Sequence, residues 1–549
     1  MQGLMMNTPL KIADILTFAA EAHPTSEIVS VRTEGDIHRT TYAQTAKRVA
    51  QLAHGLAKIG VKPTDRIATL AWNGYRHFEL YYAISGIGAV CHTLNPRLSA
   101  EQMTYIITHA QDSVLFVDTT FVPIVQGLRD QWPKGLKIVV MTDRAHMPDG
   151  IDALCYEDLL TDQPTQIIWP DFPEDTAAGL CYTSGTTGNP KGTLYSHRST
   201  VLHAMMVGLS LPSALQPGKK ILPVVPLFHV NAWGLPYAAP LTGASLVFPG
   251  GALDGENLFR LMDTEAVFSA WGVPTVWLGL QAEITKQGRL PNGFGDVVIG
   301  GSAAPSSMIQ TFEESGVNVC HAWGMTEMSP VGTQGNLPPH MADLPMQERI
   351  TIKSKQGRRI FGVELKIVDE QGVRLPHDGL STGELYVRGN TIASGYFENP
   401  EASAAAFDAE GWFGTGDVAT IDENGFLSIT DRAKDLIKSG GEWISSLDLE
   451  NAVMAHPNVA NCAVIAVPHP KWDERPLLIV VPNGEAPPKQ ALLDLLATHF
   501  AKWQLPDDIV FAEALPMTAT GKVSKLTLRA THAKHLAPEN SGDTGNTGT

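Results

Sequence analysis

Positive charge is what this sequence is shortest of: 40 lysines and arginines stand against 57 aspartates and glutamates in 549 residues, a formal charge of −17. No basic stripe interrupts the deficit, which argues against nucleic acid as a partner and for solubility. Aromatic residues make up only 7%. Nowhere do about 18 apolar residues run uninterrupted, so no transmembrane segment is predicted. From Met1 to Pro24 there is no lysine- or arginine-led apolar run of the secretory kind; Ile12, Ile15, Leu16 and Ala19 recur at helical spacing instead. Cysteine is scarce and odd in number. Cys91, Cys155, Cys181, Cys320 and Cys462 are far apart, mostly in apolar runs and without metal-ligand spacing, which predicts buried thiols in a reducing compartment and a cytoplasmic protein. A Walker loop is missing too, because the one Gly/Thr-rich lysine segment that resembles it has Pro190 before Lys191 and glycine after it.

What is there is that segment, Tyr182 to Thr193. Glycines at 185, 188 and 192 let backbone N–H groups turn toward an anion, the hydroxyls of Thr183, Ser184, Thr186 and Thr187 add donors, and Lys191 supplies a compact positive charge. The pattern reads as a phosphate cradle. On composition alone a plain turn between two strands is the better reading, and the rest of the chain has to decide.

At this length two or more domains are expected. From about residue 28 to 430, short apolar runs such as Ile67 to Ala71, Ser113 to Val117, Lys137 to Met141 and Val297 to Ile299 alternate with helical segments such as Tyr42 to Ile59. That alternation predicts an α/β domain of parallel sheets covered by helices. Val363 to Val368 and Gly383 to Arg388 alternate with period two and predict a β-subdomain. After Asp431-Arg-Ala-Lys-Asp435 the pattern restarts at smaller scale. A helix opened by Ser445 and Asp448 ends near Pro457, a strand covers Cys462 to Val467, a helix covers Lys489 to Trp503, and a strand lies near Ile509 to Phe511. The division expected is an N-terminal domain over 1–431, a connecting segment over 432–437, a small α+β domain over 438–536 and a polar tail over 537–549 predicted to be disordered.

Four further segments carry chemistry. Gly300-Gly-Ser-Ala-Ala-Pro305 follows a strand and would let a flat ligand lie against backbone. His321-Ala-Trp-Gly-Met-Thr-Glu327 combines an aromatic plane, a glycine, a hydroxyl and a carboxylate suited to a hard cation. Gly411 to Asp417 ends in a carboxylate that could accept two ribose hydroxyls. Lys522 sits in the Gly/Thr loop from Pro516 to Lys525. Each alone is more often structural: a tight turn, a packed aromatic, a capped turn, a solvated lysine.

Together, in this order and over about residues 10 to 530, the five motifs resemble the superfamily of adenylate-forming enzymes, which includes acyl-CoA synthetases, peptide-synthetase adenylation domains and firefly-type luciferases. The resemblance implies a large N-terminal domain with a small mobile C-terminal one, and ATP, Mg²⁺ and CoA as co-reactants. It also implies activation of a small carboxylic acid as an acyl-adenylate, followed by attack of a thiol. By motif, Thr183, Ser184, Gly185, Thr186, Thr187, Gly188 and Lys191 would handle the β- and γ-phosphates, and Thr326 with Glu327 would serve phosphate and Mg²⁺, Thr183 being a second metal candidate. Gly301, Ser302, Ala303, Trp323 and Gly324 would frame the adenine, with Gly301 and Gly324 also near the acid. Asp417 and Arg432 would anchor the ribose. Lys522 would bridge carboxylate and α-phosphate, Lys434 would be the hinge, and Lys438, Gly440 and Gly441 would border the pantetheine channel once the small domain has swung.

Pro226-Leu-Phe-His-Val-Asn-Ala-Trp-Gly-Leu-Pro236 resembles the acid-pocket segment of fatty acyl-CoA synthetases, with His229 near the carboxylate and Trp233 across the acyl tunnel. Packing of a helix start in the core is the other reading of both side chains. The segment lacks the acidic residue an amino-acid substrate needs. The overall likeness is to bacterial medium- and long-chain fatty acyl-CoA ligases and to 3-methylmercaptopropionate–CoA ligases, which share the His-Val-Asn-Ala-Trp-Gly pattern. Two rivals stay open. A non-catalytic nucleotide-binding regulator predicts loss of Lys522, Glu327 or Lys191, and all three are present. An adenylating enzyme serving a carrier protein would need that carrier as a separate chain, since no carrier serine motif follows residue 530. The acid is left open, as is the oligomeric state, a homodimer included.

Overall fold

The computed structural model describes residues 1, 3–183, 189–439, 442–518 and 522–536. The apolar runs become the central strands of two seven-stranded sheets. In one, strands run in the order Leu154–Cys155, Lys137–Val140, Val114–Val117, Arg66–Leu70, Val90–Thr93, Ala177–Tyr182 and Gly192–Ser196. All neighbours are parallel except the last pair, which is antiparallel. In the other, Asn318–His321, Asp296–Ile299, Ser269–Gly272, Lys220–Pro223, Ser245–Phe248 and Glu27–Val31 are parallel neighbours, and Ile37–Thr41 closes the edge antiparallel. Val114–Val117, Val90–Thr93 and Asp296–Ile299 are buried at every position, as strands covered by helices on both faces must be.

The helices follow their sequence signals. Tyr42–Lys58 starts at a capping box in which Thr41 and Gln44 exchange side-chain and backbone bonds, and it buries Tyr42, Thr45, Val49, Leu52, Ala53 and Leu56 along one stripe. Ile12–Ala22 buries the four residues expected from their spacing. The period-two segments form a four-stranded antiparallel sheet of Val363–Val368, Gly383–Gly389, Phe413–Ile421 and Leu427–Arg432.

The last part of the chain builds its own sheet from Ile437–Ser439, Glu442–Ile444, Val459–His469, Asp473–Pro482 and Asp508–Phe511. Along Val459–His469, Cys462, Val464 and Ala466 join one apolar cluster with Leu449, Val453, Leu492 and Leu496. Ala463, Ile465 and Val467 join another with Leu515 and Leu528 on the opposite face. The helix Ser446–Val453 is capped by the Ser445 hydroxyl, which accepts from the Asp448 amide as its spacing predicts. The helix expected to reach Trp503 stops at Ala497, and Phe500 folds back onto the first of these clusters instead of continuing it. The tail 537–549, like Ser184 to Gly188 and Gly440 with Gly441, lies outside the described residues. Among the described residues no helix is long and apolar enough to cross a membrane. All five cysteines are free and buried.

Candidate active site

Three site segments leave the carboxyl ends of sheet strands, the usual place for a ligand in such sheets. The first follows Ala177–Tyr182. Of the phosphate loop only its flanks are described: the Thr183 amide donates to the Lys191 carbonyl (2.9 Å), and the Lys191 amide donates to Thr183 Oγ1 (3.4 Å). These bonds close the mouth of the loop and engage the Thr183 hydroxyl as an acceptor. The Lys191 ammonium lies over the Tyr396 ring, 4.9 Å from its centre.

The second follows Asp296–Ile299. Gly301 takes φ +80°, a conformation natural to glycine, and is exposed. A Cβ on Gly300 would come 2.9 Å from the Ala322 carbonyl and 3.1 Å from Trp233. Ser302 is exposed and Ala303 half-buried, leaving this backbone shelf open.

The third follows Asn318–His321. Trp323 is buried and donates its indole N–H to Asp417 Oδ2 (3.0 Å). Asp417 faces Arg432 because the strands Phe413–Ile421 and Leu427–Arg432 pair in that register, and the Arg432 Nε lies 2.8 Å from Asp417 Oδ1. Burial pushes the Asp417 carboxyl up, while Arg432, the indole N–H and the Lys522 charge pull it down. Two donors still leave this carboxylate lone pairs for a diol. Glu327 is buried in the turn Thr326–Met328, and Tyr396 donates its hydroxyl to Glu327 Oε1 (2.7 Å). Tyr195, on the strand that leaves the phosphate loop, donates to the Thr326 carbonyl (2.7 Å) and ties this turn to that loop.

The segment containing His229 does not open a regular helix. Val230, Asn231, Ala232 and Trp233 take φ of 45°, 54°, 46° and 57°, and Gly234 follows at 82°: one left-handed turn built mostly from residues that avoid that region. The turn sets Trp233 against Gly300 and Gly301. Trp233 is buried in the core and borders the Gly300–Gly301 shelf. His229 shares a cleft with Thr93, Asn95, Leu98, Ile106, Tyr182 and Phe228, which joins the acid segment to the start of the phosphate loop. Burial, then the charges of Lys522 and Arg97, hold the His229 imidazolium down to about 3, so the ring is neutral at physiological pH.

Lys522 comes from the small domain. Its Cε lies 4.0 Å from where a Gly301 Cβ would stand, and Arg432, Asp417 and Lys434 are the charges around it. Burial, with Arg432 and Lys434 adding to it against Asp417, lowers its ammonium to about 8. The structure thus brings together Lys191, Gly301, Trp323, Thr326, Glu327, Asp417, Arg432, His229, Trp233 and Lys522, while Gly324 packs so closely that a Cβ would come 2.0 Å from the Pro330 carbonyl. Lys438 is elsewhere: it is exposed, its amide donates to Glu474 and its ammonium sits over Trp443. Sequence reasoning missed Tyr195 and Tyr396, for which Gly395-Tyr396 in a polar loop was the only signal, and it missed the left-handed turn, hinted at only by Gly234.

A large domain of this architecture, with a small one that brings a lysine to a carboxylate-arginine pair, is that of an adenylate-forming enzyme. The chain belongs to the AMP-binding enzyme family: the family pattern covers residues 16–397, and that of its C-terminal domain covers 448–522. It is 50% identical over 536 residues to the 3-methylmercaptopropionyl-CoA ligase of Ruegeria lacuscaerulensis, covering 96% of this chain and 98% of that protein. It is 49% identical over 537 residues to the medium-chain-fatty-acid–CoA ligase of Ectopseudomonas oleovorans, covering 96% and 97%. The crystal structure of an anthranilate CoA ligase with anthranoyl-AMP has the same fold, with TM-score 0.86 at 24% identity over 98% of this chain and all of that one.

Proposed function

We propose that this chain is an ATP-dependent acyl-CoA ligase whose acid is a fatty acid or a short thioether acid of the 3-methylmercaptopropionate kind. The observation that carries the reading is Lys522, which reaches from the small domain to the Gly301 shelf beside Asp417 and Arg432. A carboxylate oxygen of the acid attacks the α-phosphorus of ATP, the bond to the β-phosphate breaks, and pyrophosphate leaves an acyl-adenylate. Lys522 holds the acid and the α-phosphate, two anions that must meet, while Lys191 and the phosphate loop retain the leaving group. Asp417 with Arg432 takes the ribose hydroxyls, and the Gly301 to Ala303 backbone and Trp323 border the base. The sulfur of CoA then attacks the acyl carbon and AMP leaves.

Glu327 is a hard oxygen donor beside the lysine clamp. Among the described residues no group of three or more His, Cys, Asp or Glu side chains could hold a metal ion. The Glu327 carboxylate would hold an Mg²⁺ that arrives with ATP, and that ion would supply charge neutralisation for the departing pyrophosphate. His229, neutral and on the acid side of the cleft, can donate one hydrogen bond to the carboxylate but adds no charge. We assign Lys434 as the hinge between the domains, and the cytoplasm as the setting, which five free buried thiols suit.

The test is a plate of carboxylic acids from two to sixteen carbons, with 3-methylmercaptopropionate included, scored for AMP release with and without CoA. A few acids should release AMP with CoA and yield the thioester; AMP formation indifferent to CoA would point to a carrier protein as acceptor, and none at all would remove the ligase reading. Trp233 walls the shelf where the acyl carbon must lie, so Trp233→Ala is expected to raise kcat/KM for longer acids relative to shorter ones, by about tenfold for each added methylene that gains room. An unchanged ranking by chain length would leave Trp233 a packing residue only.

A further inference from the structure

The loop at 390–399 crosses from Glu327 to the phosphate loop and is fastened at both ends. On one side the Ala393 amide donates to the Glu327 carbonyl (2.7 Å); on the other the Phe397 amide donates to the Gly192 carbonyl (2.8 Å). Between them the Tyr396 amide donates to Ser403 Oγ (2.8 Å), in a turn that Asn399 caps at Ala402. This places the Tyr396 ring against Phe413 and aims its two remaining functions at different partners. The hydroxyl reaches Glu327 Oε1 at 2.7 Å, and the ring face lies 4.9 Å from the Lys191 ammonium, within cation–π range.

We infer that Tyr396 is a positioning residue that sets the metal-binding carboxylate and the pyrophosphate clamp in one register, its hydroxyl orienting Glu327 and its ring carrying Lys191. The inference rests on the roles proposed above for Glu327 and Lys191. Packing against Phe413 needs only the ring, so a phenylalanine would serve a structural role equally well. A hydroxyl on Oε1 does something a phenylalanine cannot: it holds one carboxylate oxygen in place and leaves the other for a cation. The ring polarises toward Lys191 without neutralising it, as an acidic partner would, so the ammonium keeps its full charge for phosphate.

The experiment measures the thermal shift produced by ATP, without acid, as Mg²⁺ is titrated at fixed ATP, and separately the inhibition of AMP formation by pyrophosphate. Tyr396→Phe is expected to raise the Mg²⁺ needed for half of the ATP-induced shift about tenfold, the worth of a hydrogen bond to a charged group, while pyrophosphate inhibition read at saturating Mg²⁺ stays as in the unmodified protein. Tyr396→Leu, which also removes the ring, is expected to weaken pyrophosphate inhibition by a factor of about three. Glu327→Gln is the reference. If it shifts the Mg²⁺ dependence and Tyr396→Phe does not, the Tyr396 role is overturned and the Glu327 assignment stands. If neither moves it, the Glu327 reading falls and this inference with it.

Discussion

Lys522→Ala is expected to cut acid-dependent ATP–pyrophosphate exchange by about 10² or more, while thioester formation from supplied acyl-adenylate and CoA survives within a few-fold. The asymmetry follows from where the ammonium sits. Lys522 lies beside Gly301, Asp417 and Arg432, where we propose that carboxylate and α-phosphate meet, and that step is already past when the adenylate is supplied. A second readout uses its titration. Lys522 is lowered to about 8 by burial, then by Arg432 and Lys434 against the pull of Asp417, so its charged form is complete well below pH 8 and is lost above it. The kcat/KM for ATP in the exchange reaction is therefore expected to fall as pH rises through about 8, and in Lys522→Arg that descending limb should move beyond pH 10. Equal loss of both half-reactions in the alanine variant would remove Lys522 from the adenylation step.

How much of this was legible beforehand depends on whether a feature is local. Runs such as Val114–Val117 and Val297–Ile299 read as strands because they are apolar at every position, and Ser445 read as a cap because its partner Asp448 is three residues away. The resemblance of five ordered motifs supplied the site residues, yet not their contacts. Asp417 meets Arg432 through a strand register that no single motif contains, and Tyr396 reaches Glu327 across 69 positions of chain. The turn at Val230 to Trp233 was illegible for a different reason. Each non-glycine residue there costs about 1–2 kcal/mol relative to a right-handed helix, and local preference predicts a helix start. What stabilises the turn is tertiary: the Asn231 side chain meets Cys181, Trp233 packs on Gly300 and Gly301, and Gly234 lies so close to His203 that a Cβ would come within 2.7 Å. Propensity lost to packing at the place where the acid is proposed to bind, which is where local rules are expected to fail.

Lys434→Pro is expected to leave ATP–pyrophosphate exchange within about threefold of the unmodified rate and to cut CoA-dependent thioester formation by about 10². In the proposed reaction Lys522 and an incoming pantetheine would compete for one face of the acyl carbon, so the small domain would have to leave the arrangement seen here before sulfur could attack. Contacts that hold this arrangement bracket residue 434. The Asp431 carboxylate accepts from the Ser446 amide (2.7 Å) and hydroxyl (2.5 Å), and the Ser445 hydroxyl donates to the Thr430 carbonyl (2.7 Å). By contrast Asp435 pairs with Arg529 at 2.6 Å, on the small domain's side, and would travel with it. Rotation at 434 therefore breaks the first set and spares the second. Proline fixes φ at that position and restricts Ala433 before it, which removes the φ rotation; it also removes the Lys434 charge that helps to lower Lys522, so the two half-reactions are compared below pH 8, where Lys522 is charged either way. Lys438 and Trp443, both exposed in this arrangement, belong to the segment we propose that rotation turns toward the acyl-adenylate. The measurement is the ratio of the two half-reactions in one preparation. If thioester formation in Lys434→Pro keeps pace with adenylation, the hinge lies elsewhere in 432–437, or CoA reaches the acyl carbon without the small domain moving.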